Sequence, residues 1–219
     1  VQELAPGASL EAHVRERGAL DEAAWTQLAE HVLDVLIYLQ EREPPIVHRD
    51  IKPGNVLLAE DGRAMLVDFG AVKHTYETQV AGGSTVVGTF GYMAPEQFRG
   101  RASRATDVFG LAATLLFAAT GSDPSSLPER NMRPVLDGLG LSARQRAWLD
   151  RAMEPDDAKR YATAREAREA LRGQGPAAAI ALPEPPETLR VTRLDREGVV
   201  GLEIKRGFLS AGTLAKGMG

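Results

Sequence analysis

The chain has 219 residues, of which 43% are apolar and 26% are charged, and this composition is ordinary for a soluble globular protein. Its formal net charge of −4 argues against a nucleic-acid-binding protein, because such proteins are usually basic. No cysteine is present, so disulfides, thiolate zinc sites and a cysteine nucleophile are all excluded.

No targeting or membrane segment can be recognised in the sequence. The first residues lack a basic stretch followed by an apolar core. The longest apolar run, residues 108–121, is too short to span a membrane, so we expect a buried helix there. We expect a cytoplasmic location, while membrane association of a longer parent protein stays open. Because the chain begins without Met, we also expect that its N-terminus is not the natural one.

Two helices are predicted near the start of the chain. Ser9 is a suitable N-cap for a short helix that reaches about Arg17 and ends at a glycine. Asp21 is a suitable N-cap for a longer helix that stops before the prolines at 44 and 45. The predicted buried face of this longer helix consists of Trp25, Leu28, Val32, Val35, Leu36 and Leu39.

A β-hairpin and a long loop are predicted next. Two short apolar runs, at 56–58 and 64–67, flank an Asp-Gly pair at 61–62, and this pattern is typical of a hairpin. Residues 70–93 are rich in Gly, Thr and Ser and have no clear period. Such a long loop in a compact domain is usually functional or mobile.

Helices are predicted again in the second half of the chain. The apolar segment near 105–120 is one of them. Two more begin at Ser142 and Thr163, because Gln145 and Glu166 stand three positions after these residues and complete the pattern of a capping box.

The end of the chain has a different composition. Residues 173–187 are predicted to be a Pro/Ala linker. Residues 188–219 are predicted to form a short β-hairpin-like accessory segment with a turn at Glu197-Gly198. The end at Gly219 suggests that this segment is truncated.

A polar loop precedes the hairpin. The stretch VHRDIKPGNVLL, residues 47–58, places a His, an Arg, an Asp, a Lys and an Asn within eight positions, and a solvated turn does not explain this order. Asp68-Phe69-Gly70 follows the hairpin, and Ala94-Pro95-Glu96 closes the long loop. His48-Arg49-Asp50, then Asn55 and the two later motifs, resemble in this order the motifs of protein kinases.

The resemblance implies a reaction centre on the loop of residues 48–55, which is called the catalytic loop below. Asp50 matches the base that orients the attacking hydroxyl and accepts its proton, and Lys52 matches a residue that approaches the transferred phosphate. Asn55 and Asp68 match two ligands of Mg²⁺, for which Mn²⁺ is an alternative. The implied co-substrate is ATP, and Leu57 matches the apolar residue beneath its adenine ring.

The resemblance also favours the serine/threonine branch of the family, and its bacterial members most. Lys52 in DIKPGN and Thr89 in GTFGYMAPEQ are similar to residues of that branch. The Thr89 hydroxyl is expected close to Asp50 and Lys52, beneath the protein substrate.

Further matches are structural. His48 and Phe69 are expected to pack in the core, and Asp107 to bond the backbone of the catalytic loop from a buried helix. Arg160 is expected to pair with Glu96, and a buried pair of this kind is costly to break on one side.

One group of matches concerns regulation. Kinases with an Arg directly before the catalytic Asp, here Arg49, are often activated by phosphorylation of the long loop, because a phosphate can dock on this Arg. The candidate phosphorylation sites are Thr75, Thr78, Ser84 and Thr85.

The resemblance covers residues 1 to about 172, and it implies a mainly α fold (α+β): the large lobe of a kinase, with a small hairpin at the catalytic site. No glycine-rich strand-turn-strand and no Val-Ala-Ile-Lys strand precede the catalytic loop, so we expect the small lobe to be absent. The first residues resemble the hinge between the lobes. In that case Glu3 and Ala5 would offer backbone bonds to adenine and Ser9 would lie near the ribose, although a plain linker is an alternative.

These matches predict a fragment of a serine/threonine protein kinase whose full-length parent phosphorylates protein Ser and Thr hydroxyls, and little activity is expected of the fragment alone. A non-catalytic interaction or scaffold module is the main alternative. A small-molecule phosphotransferase is disfavoured, since Thr89 and the Ala94-Pro95-Glu96 motif form a peptide-docking surface in kinases. No nucleic-acid partner is expected, and dimer formation by the parent stays open.

Overall fold

The computed structural model of the chain describes residues 7–59, 63–68, 73–74, 89–173, 189–192 and 201–204. Several predictions therefore concern positions outside the described residues, namely the turns at 61–62 and 197–198, most of the linker, and the roles of Glu3, Ala5, Phe69, Thr75, Thr78, Ser84 and Thr85.

The described part of the chain is mostly helical. Its α-helices are α1 (Leu10–Arg17), α2 (Glu22–Gln40), α3 (Arg104–Thr120), α4 (Ala143–Ala152) and α5 (Ala164–Leu171). Short 3₁₀ turns lie at Pro53–Asn55, Pro95–Arg99, Pro124–Ser126 and Asp157–Lys159.

The strands are short and pair in small antiparallel groups. They are β1 (Ala8–Ser9), β2 (Ile46–Val47), β3 (Val56–Leu58), β4 (Ala64–Leu66), β5 (Lys73–His74), β6 (Glu129–Arg130), β7 (Arg133–Pro134), β8 (Leu189–Thr192) and β9 (Gly201–Ile204). The strand order β1-β3-β4 forms one sheet, and the predicted hairpin is its β3-β4 pair, with Val56 opposite Leu66. The other pairs are β2-β5, β6-β7 and β8-β9. The boundaries of the linker and of the accessory segment stay predictions.

Local capping bonds start three helices where the sequence predicts them. The Ser9 side chain accepts a hydrogen bond from the Ala12 backbone N–H at 3.1 Å, and Asp21 accepts one from Ala24 at 2.8 Å. At the start of α4 the capping box is complete, because the Ser142 backbone N–H also donates to the Gln145 side chain at 2.9 Å. These signals involve residues at most three positions apart, so they could be identified without the tertiary structure.

The capping box predicted at Thr163 is only half formed. Thr163 Oγ1 accepts from the Glu166 backbone N–H at 3.1 Å, as expected. However, one carboxylate oxygen of Glu166 accepts from the Ala162 N–H at 2.8 Å, and the other binds Arg151 on α4. Both oxygens are therefore occupied. The predicted reciprocal bond, from the Thr163 backbone N–H to the Glu166 side chain, is absent, so this part of the prediction is wrong.

Helix α3 runs through the centre of the core. Every residue from Ala105 to Ala118 is buried, which explains the continuous apolar run in this segment. None of the described helices has the length and apolar character needed to cross a bilayer.

Two tryptophans connect the helices around α3. Trp25 is fully buried, and its indole N–H donates to the Leu115 carbonyl on α3 at 2.9 Å. Trp148 lies edge-on to Trp25, with 6.1 Å between ring centroids, and donates to the Ala167 carbonyl on α5 at 2.8 Å. Both rings thus bury a large apolar surface and keep their polar N–H satisfied.

A buried ion pair connects residues 64 positions apart in the chain. Arg160 is 2% exposed and Glu96 is 6% exposed, and the guanidinium binds the carboxylate through two bonds of 2.8 and 2.7 Å. Thr106 donates a further bond of 2.8 Å to Glu96. Burial by itself would raise the pKa of Glu96, but the bonds from Arg160 and its charge outweigh this effect, and the pKa is lowered.

Replacing Arg160 by Met is expected to lower the free energy of unfolding by about 3–5 kcal/mol, because the Glu96 carboxylate would remain buried without its partner. Urea unfolding followed by circular dichroism measures the change. The matched control is Arg172→Met, which removes a partly exposed pair with Glu30 and is expected to cost less than about 1 kcal/mol. Equal losses in the two variants would contradict the structural importance of the Glu96–Arg160 pair.

Candidate active site

The catalytic loop is held from below by one carboxylate of α3. Asp107 is 1% exposed, and its two oxygens accept hydrogen bonds from the backbone N–H groups of Arg49 at 2.8 Å and His48 at 2.9 Å. Arg49 has a positive φ of 72°, a strained conformation for a residue that is not Gly. The two bonds to Asp107 hold this turn in place. They are the predicted contact between Asp107 and the backbone of the catalytic loop.

Burial raises the pKa of Asp107 to about 7, and the two backbone hydrogen bonds together with the nearby Arg49 charge oppose this shift. The carboxyl group thus accepts bonds that hold the loop, and its raised pKa favours the neutral form more than for an exposed Asp. Nothing in its surroundings gives it access to a substrate, since α3 and the catalytic loop cover it.

His48 is buried but is more than an apolar core residue. Its Nε2 lies 3.2 Å from the Val67 carbonyl, and its Nδ1 lies 3.4 Å from the Asp50 backbone nitrogen. Burial lowers the pKa of His48 to about 4, although the Val67 carbonyl and nearby carboxylates oppose the shift. The ring is thus neutral near pH 7, and we assign the proton to Nε2, which donates to Val67, while Nδ1 accepts from Asp50.

Three polar side chains meet around the Asp50 carboxylate. Lys52 Nζ lies 2.8 Å from Oδ2, and Asn55 Nδ2 lies 3.0 Å from the same oxygen. Thr89 Oγ1 lies 3.2 Å from Oδ1 and accepts a bond of 2.9 Å from Lys52. The expected proximity of Thr89 to Asp50 and Lys52 is therefore present in the structure, across 37 to 39 positions of sequence.

Asn55 is oriented by its amide nitrogen, which also donates to the Asp50 carbonyl at 2.8 Å. This bonding identifies the nitrogen side of the amide and leaves the oxygen Oδ1 as the atom available to a metal ion. The Val67 N–H donates to the Asn55 carbonyl at 2.9 Å, so the hairpin places Asp68 next to the end of the catalytic loop. Asp68 is exposed and has a positive φ of 63°.

The donors at this position fit Mg²⁺. Asn55 and Asp68 offer an amide oxygen and a carboxylate, which are hard ligands. Among the described residues there is no group of three or more His, Asp or Glu side chains that could enclose a metal by themselves. An ion held by so few protein ligands needs water and phosphate oxygens as well, and Mg²⁺ usually binds in this manner.

Two of the residues that the resemblance assigns to nucleotide binding, Ser9 and Leu57, lie in the described part of the chain, and they are neighbours. Leu57 and Ser9 stand opposite each other in the β1-β3 pair, in the sheet whose strands β3 and β4 adjoin Asn55 and Asp68. Leu57 is half-buried. Ser9 Oγ caps α1, as described above, so a ribose contact by this residue stays a prediction.

One residue of the site was not predicted. Gln97 is 2% exposed, its Nε2 donates to the Arg49 carbonyl at 2.8 Å, and its Oε1 accepts from the Ala94 N–H at 3.0 Å. It therefore joins the segment that contains Ala94-Pro95-Glu96 directly to the catalytic loop. The bond to Ala94 has the local spacing of a helix N-terminus, but no local pattern marks the bond to Arg49, which is 48 positions away.

Phosphoryl transfer needs a proton acceptor close to a positive charge and oxygen donors for a metal ion, and the catalytic loop and the hairpin supply them. The family model described as "Protein kinase domain" matches residues 1–167, and the chain belongs to this family.

Similar curated proteins include bacterial kinases. Serine/threonine-protein kinase PknA of Nostoc sp. is 36% identical over 182 residues, which are 78% of this chain and 32% of that protein. Serine/threonine-protein kinases F and C of Synechocystis sp. are 34% and 39% identical over 181 and 133 residues, or 79% and 58% of this chain and 36% and 24% of those proteins. The chain thus spans about a quarter to a third of the length of these relatives.

The neutral state of His48 makes a prediction about pH. A histidine whose pKa is lowered by folding stabilises the protein above its unfolded pKa of 6.5, and this contribution, about 3 kcal/mol at most, is lost as the pH falls through about 4. His48→Leu should therefore show a smaller loss of stability between pH 6.5 and pH 4 than the unsubstituted protein. The measurement is urea unfolding at several pH values. An identical pH slope in both proteins would refute the assignment of a buried neutral His48.

Proposed function

We propose that the protein is a serine/threonine protein kinase, which transfers the γ-phosphoryl group of ATP to Ser and Thr hydroxyls of other proteins. The observation that carries this proposal is the joint contact of Asp50, Lys52 and Thr89. Lys52 together with Thr89 distinguishes the serine/threonine branch, and the similarity to bacterial serine/threonine kinases supports the same conclusion. The membership in the kinase family favours ATP and a divalent metal as co-substrate and cofactor.

Asp50 acts on the acceptor hydroxyl in this proposal. Its Oδ1 orients the O–H of the incoming Ser or Thr and takes the proton as the oxygen attacks phosphorus. Lys52, with its ammonium 2.8 Å from Oδ2, supplies positive charge where negative charge gathers on the transferred phosphoryl group. Thr89 keeps both side chains in position through its two bonds.

Asn55 and Asp68 would hold Mg²⁺, or alternatively Mn²⁺, on the phosphate side of the same loop. The ion neutralises phosphate charge when it is bound. The Asn55 amide is fixed in advance by its bonds to Asp50, so little reorganisation of this ligand is needed. Leu57 would pack against the adenine ring, Ser9 would lie near the ribose, and the backbone of Glu3 and Ala5 would bond the base.

The glycine-rich loop and strand lysine of a kinase small lobe do not occur in the 219 residues. Activity is therefore tested in the natural full-length protein that contains this chain, and residues 1–219 alone are expected to transfer phosphate poorly. Proteins with Ser or Thr acceptors are the proposed substrates, and a cytoplasmic location fits both ATP use and the absence of cysteine.

Asp50→Asn in the natural full-length protein is expected to reduce kcat by about 10²–10⁴-fold, because the change keeps the shape of the side chain but removes the proton acceptor. Phosphate transfer from radiolabelled ATP to a generic protein substrate is measured, together with nucleotide affinity and urea unfolding. The control is Asp137→Asn, an exposed aspartate that pairs with Arg146. Turnover of Asp50→Asn at the rate of the unsubstituted protein would show that another group accepts the proton.

Arg49 supports a proposal for regulation. The residue is 4% exposed, and its Nε is buried with no hydrogen-bond partner among the residues that the structure describes. Burial also lowers its pKa. A buried guanidinium with unused donor capacity is costly, and a phosphoryl group placed beside it would supply the missing acceptors and charge. The proposal is that phosphorylation of the long loop, at one or more of four Ser and Thr residues, supplies this group.

The test of this switch is mass spectrometry of the active full-length protein, in which phosphate is expected on Thr75, Thr78, Ser84 or Thr85. Replacing all four by Ala should lower activity, and Arg49→Gln should lower it through the same interaction. The two changes combined are then expected to cost little more than either alone, since they remove one contact from its two sides. Full activity of the four-Ala variant would contradict regulation by phosphorylation. Strictly additive losses of activity from the four-Ala change and Arg49→Gln would contradict it as well.

A further inference from the structure

Three arginines cluster immediately after the segment that binds the catalytic loop. Arg99, Arg101 and Arg104 lie within six positions, and all three are exposed. No Asp or Glu occurs between residues 97 and 106, although the whole chain has a formal net charge of −4. The stretch from Phe98 to Arg104, called the basic segment below, is therefore a local concentration of positive charge on an acidic protein.

The acidic residues that flank the basic segment do not neutralise it. Glu96 is turned inward to Arg160, and Asp107 is turned inward to the backbone of the catalytic loop. Within the ranges that the structure describes, none of the three arginines forms an ion pair. Arginines elsewhere on the surface do form such pairs, for example Arg146 with Asp137 and Arg172 with Glu30.

The backbone of the basic segment is rigidly turned. Gly100 has a φ of 68°, its N–H donates to the Gln97 carbonyl at 2.8 Å, and the Arg101 N–H donates to the Glu96 carbonyl at 3.1 Å. The Ser103 N–H is bound by the Thr106 hydroxyl at 2.9 Å. Because these bonds order the backbone in advance, a partner that binds here has less conformational entropy to remove.

An apolar anchor accompanies the charges. Phe98 is 51% exposed, one of few large apolar side chains with such exposure in the described residues. Aromatic residues and arginines are the side chains that most often dominate protein–protein binding energy. The preceding residue, Gln97, is bonded to the Arg49 carbonyl one position before Asp50. The basic segment thus begins next to the place where an acceptor hydroxyl would bind.

We propose that the basic segment docks an acidic stretch of the protein substrate, outside the sequence that carries the acceptor Ser or Thr. This inference rests on the proposed kinase function for the presence of a protein substrate. Carboxylates of the substrate neutralise Arg99, Arg101 and Arg104, and an apolar residue among them packs on Phe98. The consequence is a preference for substrates that carry several Asp or Glu residues in a stretch separate from the acceptor sequence.

A protein partner fits the basic segment better than a nucleic acid or a membrane. Both of the latter present many negative charges, and proteins that bind them usually carry a broad basic surface. Here three exposed arginines follow one exposed aromatic residue within six positions, on a chain with a formal net charge of −4. A short acidic peptide matches this number of charges.

Direct binding to residues 1–219 tests the docking without any phosphate transfer. Two fluorescein-labelled peptides of equal length are compared by anisotropy, one with a run of Glu around a Leu and one with Gln in place of each Glu. The acidic peptide is expected to bind more tightly, and its affinity should fall as salt rises above about 0.15 M. Arg99→Ala combined with Arg101→Ala should weaken it about two- to tenfold.

The matched control is Arg17→Ala combined with Arg130→Ala, which removes two exposed charges elsewhere and should leave the affinity unchanged. Reversal of charge in Arg99→Glu with Arg101→Glu should abolish the preference for Glu over Gln. In the natural full-length protein, KM for a substrate with the acidic stretch should rise in the Arg99/Arg101 variant by the same factor as the peptide Kd.

Equal binding of the Glu and Gln peptides would overturn the proposal, and so would equal losses in the test and control pairs. A single-stranded oligonucleotide and phosphatidylserine vesicles are included as probes. Tighter binding of either one than of the acidic peptide, lost in the Arg99/Arg101 variant, would also overturn it and assign the segment to that other partner. Phosphate transfer by the natural full-length protein without peptide docking would contradict only the docking proposal. Peptide docking without phosphate transfer would contradict only the kinase function.

Discussion

The position of the candidate active site depends on one buried carboxylate. Asp107 accepts two backbone N–H bonds from the catalytic loop, and both donors would otherwise be buried without partners. Each unsatisfied donor would cost roughly 1–3 kcal/mol, so the loop has a strong preference for this arrangement. Since α3 is packed on all sides, the carboxylate itself cannot move far. Asp50 follows the second of these donors directly, and its place is fixed through the chain.

The opposite side of the site is tied to the same core by separate contacts. Glu96 binds Arg160 in the core. Gln97 binds the Arg49 carbonyl, so the segment that carries Thr89 is joined to the catalytic loop. Gly91 contributes to this placement, because its φ of 88° strains any other residue and a Cβ there would lie only 3.1 Å from Asp123 and 3.2 Å from Ser125. The contacts around Asp50 are thus consequences of tertiary packing on two sides.

Burial shifts two titratable groups of this framework toward their neutral forms, with opposite effects on the dependence of stability on pH. The raised pKa of Asp107 makes the folded protein take up a proton, so its contribution falls as the pH rises toward 7. The lowered pKa of His48 makes folding release a proton, so its contribution grows as the pH rises from 4 to 6.5. The two contributions oppose each other over much of the same pH range.

Features whose signals are local, or occur in a fixed order along the chain, could be predicted from the sequence. The caps at Ser9, Asp21 and Ser142 could be predicted because each involves residues within three positions. The family could be predicted because its motifs occur in a fixed order. Other contacts depend on packing between elements far apart in the chain. Arg151 on α4 binds one Glu166 oxygen while the Ala162 N–H binds the other, and Gln97 donates to the Arg49 carbonyl 48 positions away. Likewise, Arg99 and Arg101 form no ion pair within the described ranges, and the acidic residues next to them in sequence, Glu96 and Asp107, bind partners in the interior. These outcomes depend on the packing of elements far apart in the chain, and no spacing in the sequence encodes that packing directly.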